Sequence, residues 1–446
     1  MSLPRYPEYK DSGVEWIGDI PSHWAATPIS MLATLNDETL PESTDAELEI
    51  EYVDIGSVSL TGGIERSEAL TFSNAPSRAR RIVRDGDVLV STVRTYLKAI
   101  APVVSPAPNL IASTGFAVVR PKSGQYSGYL KYGLQCEAFV HQVIARSTGV
   151  SYPAINASDL ARIPLWTPSF GEQHAIASFL DRETAKIDAL IAEQEKLLAL
   201  LAEKRQATIS RAVTRGLDAN APMMESGTPW LGRVPAHWEV RPLKKVIASA
   251  KAGPFGSALT KDMYCASGYR VYGQEQVIPA DFTLGDYFIG SEKYSELQQY
   301  AVTPGDILIS CVGTFGKVAI VPEGIHPGVI NPRLIRLRSR SHVLAEFLVT
   351  VLRSNIVFEQ FSLLSRGGTM DVINIGTLNG IQIAVPPLSE QGAVCDFVVA
   401  ECARIDRLGA EAKRSASLLR ERRTALIAAA VTGQIDVRGA VEAEAA

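Results

Sequence analysis

The chemistry within reach of this chain is that of cations and aromatic rings carried on short loops. Arg94-Thr95-Tyr96-Leu97-Lys98 follows a strand-like run, Asp87-Val-Leu-Val-Ser91. Guanidinium and ammonium groups pair with phosphates or guanine edges, and a tyrosine hydroxyl donates to a phosphate. A basic turn with no partner is the plainer reading. Thr314-Phe-Gly-Lys317 follows a matching run, Asp306-Ile-Leu-Ile-Ser310. Ser147-Thr148-Gly-Val-Ser151-Tyr152 and Arg366-Gly-Gly-Thr369 set glycine beside polar groups, which lets backbone approach a ligand closely. Arg366 can pair with guanine or phosphate there, and a plain turn is the alternative. Lys251-Ala-Gly-Pro-Phe255-Gly-Ser257 and Asn331-Pro-Arg333 complete the candidates, with Phe255 as readily a core residue.

Other chemistries find no support. Gly313-Thr-Phe-Gly-Lys317 lacks the GxxxxGK[ST] spacing of a phosphate loop. Val385-Pro-Pro-Leu388 lacks the leading Asn or Asp, and the aromatic, that would hold a flipped base for methylation. His23 and His237 stand alone, without a second metal ligand, and no nuclease carboxylate cluster or motor motif is visible. We therefore expect no catalytic residue, no metal and no cofactor on this chain. Trp16, Trp24, Trp230 and Trp238 flank a repeated apolar segment, which favours a structural role over base stacking.

A hydrophobic share of 46% and a charged share of 21% describe a soluble globular protein, and 446 residues exceed one ordinary core. No apolar run approaches the ~18 residues of a transmembrane helix. The start, MSLPRYPEYK, lacks a signal peptide's apolar core, and five cysteines form no CxxC pair. These features lead us to expect a cytoplasmic protein with free thiols and no membrane. The net charge of −4 argues mildly against autonomous nucleic-acid binding. Local clusters run the other way: Arg78, Arg80, Arg81, Arg84, Arg94 and Lys98 in one, Arg333, Arg336, Arg338 and Arg340 in the other. Such clusters are either solvated surface or an anion-binding face.

The elements that position these residues come in duplicate. Trp16-Ile-Gly-Asp-Ile-Pro-Ser-His-Trp24 recurs as Trp230-Leu-Gly-Arg-Val-Pro-Ala-His-Trp238, Asp85–Ile100 recurs from Pro304, and Glu172–Asp218 recurs without a gap as Glu390–Asp436. Residues 14–168 and 228–386 are rich in Gly, Pro, aromatic and β-branched residues, which predicts mixed α/β domains of short strands. Residues 172–214 and 390–432 are dominated by Ala, Leu, Glu, Lys and Arg, which predicts long helices. Ile176, Leu180, Ile187, Leu190, Leu197 and Leu201 follow a/d spacing, and Ile405, Leu408 and Leu419 hold equivalent places in the second run. Antiparallel packing of the two helices would bury both stripes and give a dumbbell with pseudo-twofold symmetry.

Five features then carry a family resemblance: Tyr9-Lys-Asp-Ser-Gly-Val-Glu-Trp-Ile-Gly18, the repeated Ile/Val-Pro-x-His-Trp, the Gly-Asp-Ile/Val-Leu strand, Pro386-Pro-Leu-Ser-Glu-Gln391 and Ala430-Ala-Val-Thr-Gly-Gln-Ile435. Together they resemble the specificity (S) subunit of a type I restriction-modification system, over nearly the whole chain. The resemblance implies an α/β (α+β) fold of two pseudo-symmetric target recognition domains separated by a pair of long antiparallel helices. The divisions would be recognition domain 1 over 1–171, spacer helix 172–215, linker 216–227, recognition domain 2 over 228–388, spacer helix 389–433 and tail 434–446. Each domain would read one half of a bipartite, asymmetric site on double-stranded DNA. The helices would set the spacing and, through Ile176, Leu180, Ile187, Leu190, Leu201, Ile405, Leu408 and Leu419, dock two methyltransferase (M) subunits. Two restriction (R) subunits can join. Catalysis, with S-adenosylmethionine, ATP and Mg, would belong to those partners, in host defence. The alternatives are a tandem-repeat scaffold and a stand-alone DNA-modifying enzyme.

Overall fold

The structure is a computed structural model, and it describes residues 4–311, 317–364 and 373–442. Two compact units emerge, residues 1–194 with 414–446 and residues 195–413. The division cuts through both long helices, Phe170–Arg215 and Leu388–Val431, so each unit holds part of each.

In the first unit an antiparallel sheet runs in the order Ile100–Pro102, Val88–Ser91, Phe116–Pro121, Ala33–Leu35. A second sheet runs Glu68–Thr71, Glu49–Val53, Leu110–Ser113, Ala79–Ile82, with its two central strands parallel. Val88–Ser91 is buried throughout because both of its faces are covered. Successive side chains point to opposite faces of a strand. Val88 and Val90 therefore meet Leu134, Phe139 and Val143 of the helices Ser127–Gln135 and Glu137–Ala145, while Leu89 meets Val53 and Ala112 of the second sheet.

The second unit repeats this plan. Its four-stranded sheet runs Ile247–Ala252, Leu334–Ser339, Ile307–Ser310, Val318–Ile320. A three-stranded sheet beside it has Tyr269–Tyr272 parallel to Gly328–Ile330. Ile307 and Ile309 face the helices Ala345–Leu352 and Asn355–Leu364, while Leu308 faces Tyr272 and Ile330.

The long helices pack antiparallel within each unit. In the first, Ile176 and Leu180 share a core with Ile427, Ala430 and Val431, and Arg423 Nε lies 2.9 Å from Asp188 Oδ1. In the second, Ile209 and Val213 share a core with Val394 and Val398, and Arg205 Nε lies 3.2 Å from Asp406 Oδ1. Small residues on the second helix, Ala412 and Ala416, are buried along the seam. Among the described residues, no helix is long and apolar enough to cross a membrane.

Candidate nucleic-acid interface

Strand register decides which loops meet. In the first unit Ser91 pairs with Phe116 and Val90 with Ile100, so the turn 92–99 and Thr114-Gly115 leave one sheet at the same end. In the second sheet Ala112 aligns with Val53 and Ser113 with Ala79, which brings Asp54 and Arg78 to that end too. With Val93, Arg94 and Tyr152, these residues line a cleft of about 500 Å³.

The turn itself is held from outside. Arg94 and Lys98 both adopt left-handed backbone, φ 52° each, on either side of a tight turn at Thr95–Leu97. Non-glycine residues occupy that region only when their surroundings over-determine it. Here Ser91 Oγ donates to the Val93 carbonyl, the Thr95 and Ser147 hydroxyls lie 2.7 Å apart, and Ala154 bridges both Val93 and Thr148. The Arg94 guanidinium rests over the Tyr152 ring at 4.8 Å, so two loops 58 positions apart present one cation–aromatic pair. Tyr96 is 51% exposed and Tyr152 65%, and Thr148 and Ser151 are exposed as well. Lys98 is half-buried, 3.9 Å from Glu137. Asp54 and Thr114 escaped the sequence reading. The one signal for them is their place just after a buried strand.

In the second unit Ala252 pairs with Ile335, Ser310 with Leu334 and Ile309 with Val318. Loops 253–257 and 331–333, together with Cys311 and Lys317, therefore share one edge. A Cβ on Gly253 would stand 1.9 Å from the Asn331 carbonyl oxygen, so only glycine permits the approach of the Gly-Pro-Phe loop to Asn331-Pro-Arg333. Phe255 is a surface residue, 73% exposed, rather than core. Ser257, Lys317 and Arg333 are exposed, with Arg333 Nη1 3.5 Å from Gln274 Oε1. Lys251 is engaged by its own chain, donating to Gln299 at 2.6 Å and lying 5.2 Å over the Tyr300 ring. Thr314, Arg366 and Thr369 lie outside the described residues.

Several arginines of the two sequence clusters are engaged within the chain rather than free for an anion. Asp87 accepts two hydrogen bonds from Arg120, at 2.9 and 2.8 Å, and one from the Arg84 amide. Asp306 repeats the pattern with Arg338, at 2.7 and 3.1 Å, and the Thr303 amide. The Gly-Asp motif is thus a buried carboxylate just before its strand, fastened to an arginine on the neighbouring strand. Arg336 is buried and donates to the Ala301 and Gln299 carbonyls, and burial depresses its charged form. Arg84 pairs with Glu38 and Arg80 stacks on Phe72.

The repeated His-Trp and Glu-Gln motifs form a joint in each unit. His23 and Trp24 meet Glu172 at 2.9 and 3.4 Å, and His237 and Trp238 meet Glu390 at 2.7 and 3.1 Å. Burial alone would raise the Glu172 carboxyl, but hydrogen bonds from His23, Trp24 and Ser169 together hold it below its ordinary value. Gln173 and Gln391 bind the backbone at Tyr126 and Leu344. Trp24 and Trp238 are buried, in keeping with a structural role.

Docking on the helices needs a correction. Ile176, Leu180, Ile187, Leu201 and Ile405 are buried within the chain, where they fill the seam and have no surface left for a partner. Leu190 and Leu408 are exposed, and Leu419 is half-buried. A partner can reach the helices only on such outward positions.

A family model described as "Type I restriction modification DNA specificity domain" matches residues 64–199 and 235–400, once in each half. The chain belongs to this family. As a type I specificity chain it is similar to the MjaVIII specificity subunit of Methanocaldococcus jannaschii, 23% identical over 274 residues, or 60% of this chain and 61% of that relative. The chain thus matches about three-fifths of that subunit's length. It is also similar to the StySPI specificity subunit of Salmonella potsdam, 22% identical over 448 residues, covering 95% and 92%. A solved chain, from work on complex assembly and conformational transition of a type I R-M system, superposes with a TM-score of 0.67. That match has 23% identity and covers 92% of this chain and 98% of the other, a likeness of fold. Among the described residues of this specificity subunit there is no cluster of metal-ligating side chains.

Proposed function

We propose that this chain is a non-catalytic DNA-recognition subunit in which each α/β domain reads one half of a bipartite, asymmetric site. The observation that carries the reading is the shared strand-end architecture bearing different side chains. The first unit presents Arg94 stacked on Tyr152, with Tyr96 beside them; the second presents Phe255 and Arg333. Rigid strands with divergent loops suit two readers of unlike sequence. Arginine pairs bidentately with guanine, and exposed tyrosine serves phosphates or thymine methyl groups. The long helices set the distance between half-sites and dock two methyltransferase subunits on their outward faces. Two restriction subunits complete the nuclease, and S-adenosylmethionine, ATP and Mg are bound by those partners, in the cytoplasm.

Exchange of residues 14–168 for the matching domain of another specificity subunit, followed by mapping of methylated positions in cells carrying the methyltransferase, tests this. One half-site changes and the other stays. A change in both, or methylation by the purified chain without a partner, refutes the reading.

A further inference from the structure

A second basic feature of the second unit includes Lys317, on the edge that carries the reading loops, and adds residues of the long helix and of the helical layer. Arg205 of the first long helix, Lys317 at the start of a strand and Arg353 after the helix Ala345–Leu352 line one cleft of about 480 Å³, with Gln206, Ser354 and Asn355. Arg205 is offset by Asp406 at 3.2 Å. Among the described residues, neither Lys317 nor Arg353 is paired with a carboxylate, and Arg353 spends one donor on the Val318 carbonyl at 2.6 Å. Partial desolvation, then the nearby Arg205, disfavours the charge on Arg353, whose side chain still reaches solvent. Like charges gathered in a cleft are relieved by a bound anion.

The duplication supplies an internal control. Arg205 and Asp406 correspond to Arg423 and Asp188, which also pair, at 2.9 Å. Lys317 corresponds to Lys98, but Lys98 has Glu137 at 3.9 Å, and Asn355 stands where Glu137 does. Arg353 is replaced by Gln135, whose amide donates to the Leu60 carbonyl at 3.2 Å. The repeated frame is therefore charge-balanced at these positions in the first unit and carries surplus positive charge in the second.

We propose that the cleft of Arg205, Lys317 and Arg353 binds a phosphodiester of the DNA backbone, a contact made by the second unit alone. The contact is blind to sequence, and it adds affinity to one end of the duplex. It rests on the reading of the chain as a DNA-recognition subunit.

The test measures duplex affinity against salt for the full chain with its methyltransferase, on a target duplex and on a scrambled one. Arg353→Gln, which installs the residue of the first half, and Lys317→Gln each lower the slope of log K against log salt by about 0.9, the value for one phosphate. Both weaken binding equally on the two duplexes. Arg353→Lys, which keeps the charge, restores the slope, and Gln135→Arg in the first unit raises it. A methylphosphonate at the contacted phosphate removes the difference between parent and Arg353→Gln.

Unchanged slopes in well-folded Arg353→Gln and Lys317→Gln overturn the phosphate site while leaving the DNA-reading function intact. Absence of target binding by the parent overturns both. A thermal shift with inorganic phosphate but no change in slope, or lost methyltransferase association with an unchanged slope, also overturns it, assigning the cleft to a free anion or an acidic protein surface.

Discussion

Replacing Asp87 with alanine separates a structural Gly-Asp motif from a DNA-contacting one. The carboxylate is 1% exposed and holds Arg120 through both oxygens. Removing one partner of a buried ion pair costs about 3–5 kcal/mol, because the other charge is left without compensation. Arg120 is one-fifth exposed and keeps Glu38 at 3.3 Å, which sets the loss at the lower end. The Arg84 amide, 2.7 Å from Asp87, loses its acceptor for about 1 kcal/mol more. The total is about 3–4 kcal/mol against the first unit. At about 2–4 °C per kcal/mol for a unit of this size, its melting point falls by roughly 10 °C. Differential scanning calorimetry of the full chain reads this, with the second unit's transition as the internal reference. The double variant Asp87→Leu with Arg120→Met, an apolar replacement of the pair, recovers most of the loss. A fall of under about 2 °C together with lost DNA affinity would place the carboxylate at the DNA and refute the structural assignment.

Two further outcomes follow from the geometry. Gly253→Ala forces a Cβ to within 1.9 Å of the Asn331 carbonyl, so the two loops of the second reader separate; binding to duplexes with an intact second half-site drops to that of duplexes with it randomised, while discrimination at the first half-site is kept. Glu172 has a folded-state carboxyl held below its ordinary value of 4.5. Its contribution to stability is fully present above that pH and is lost as pH falls through the lower, folded value. Glu172→Gln therefore flattens the acid side of the stability–pH curve, measured by denaturant titration below pH 5, and an unchanged slope counts against the His23–Trp24–Glu172 joint.

The parts of the fold legible in sequence were those that repeat or that depend on neighbours in the chain. The helices Phe170–Arg215 and Leu388–Val431 begin and end within two residues of their compositional limits, because helix formation depends on local propensity and capping. The Gly-Asp and His-Trp motifs were visible through duplication alone. Their roles were not, since Glu172 meets His23 across 149 positions and Arg338 meets Asp306 across 32. Arg336 and Arg338 illustrate the limit of counting charge: two residues apart on one strand, they share a face, and both are taken up by Asp306 and backbone carbonyls. Arg94 and Tyr152 were each singled out, but only strand order and the bridges at Ala154 bring them together. The a/d stripe was read correctly as a seam at Ile176, Leu180 and Ile187, and it loses burial at Leu190 and Leu197.

What the duplicated halves share and what they do not have a common physical cause. The Asp–Arg clasp, the His-Trp-Glu joint and the strand whose middle residue faces the second sheet are all buried. A change in any one of them leaves a partner unsatisfied. Residues at the strand ends carry no such debt. Arg94 touches Tyr152, Phe255 points to solvent and Lys98 differs from Lys317 in having Glu137 beside it. Substitutions of these exposed side chains leave the buried frame undisturbed. Two copies of one gene segment can therefore diverge in their loops while the buried frame within each unit is kept.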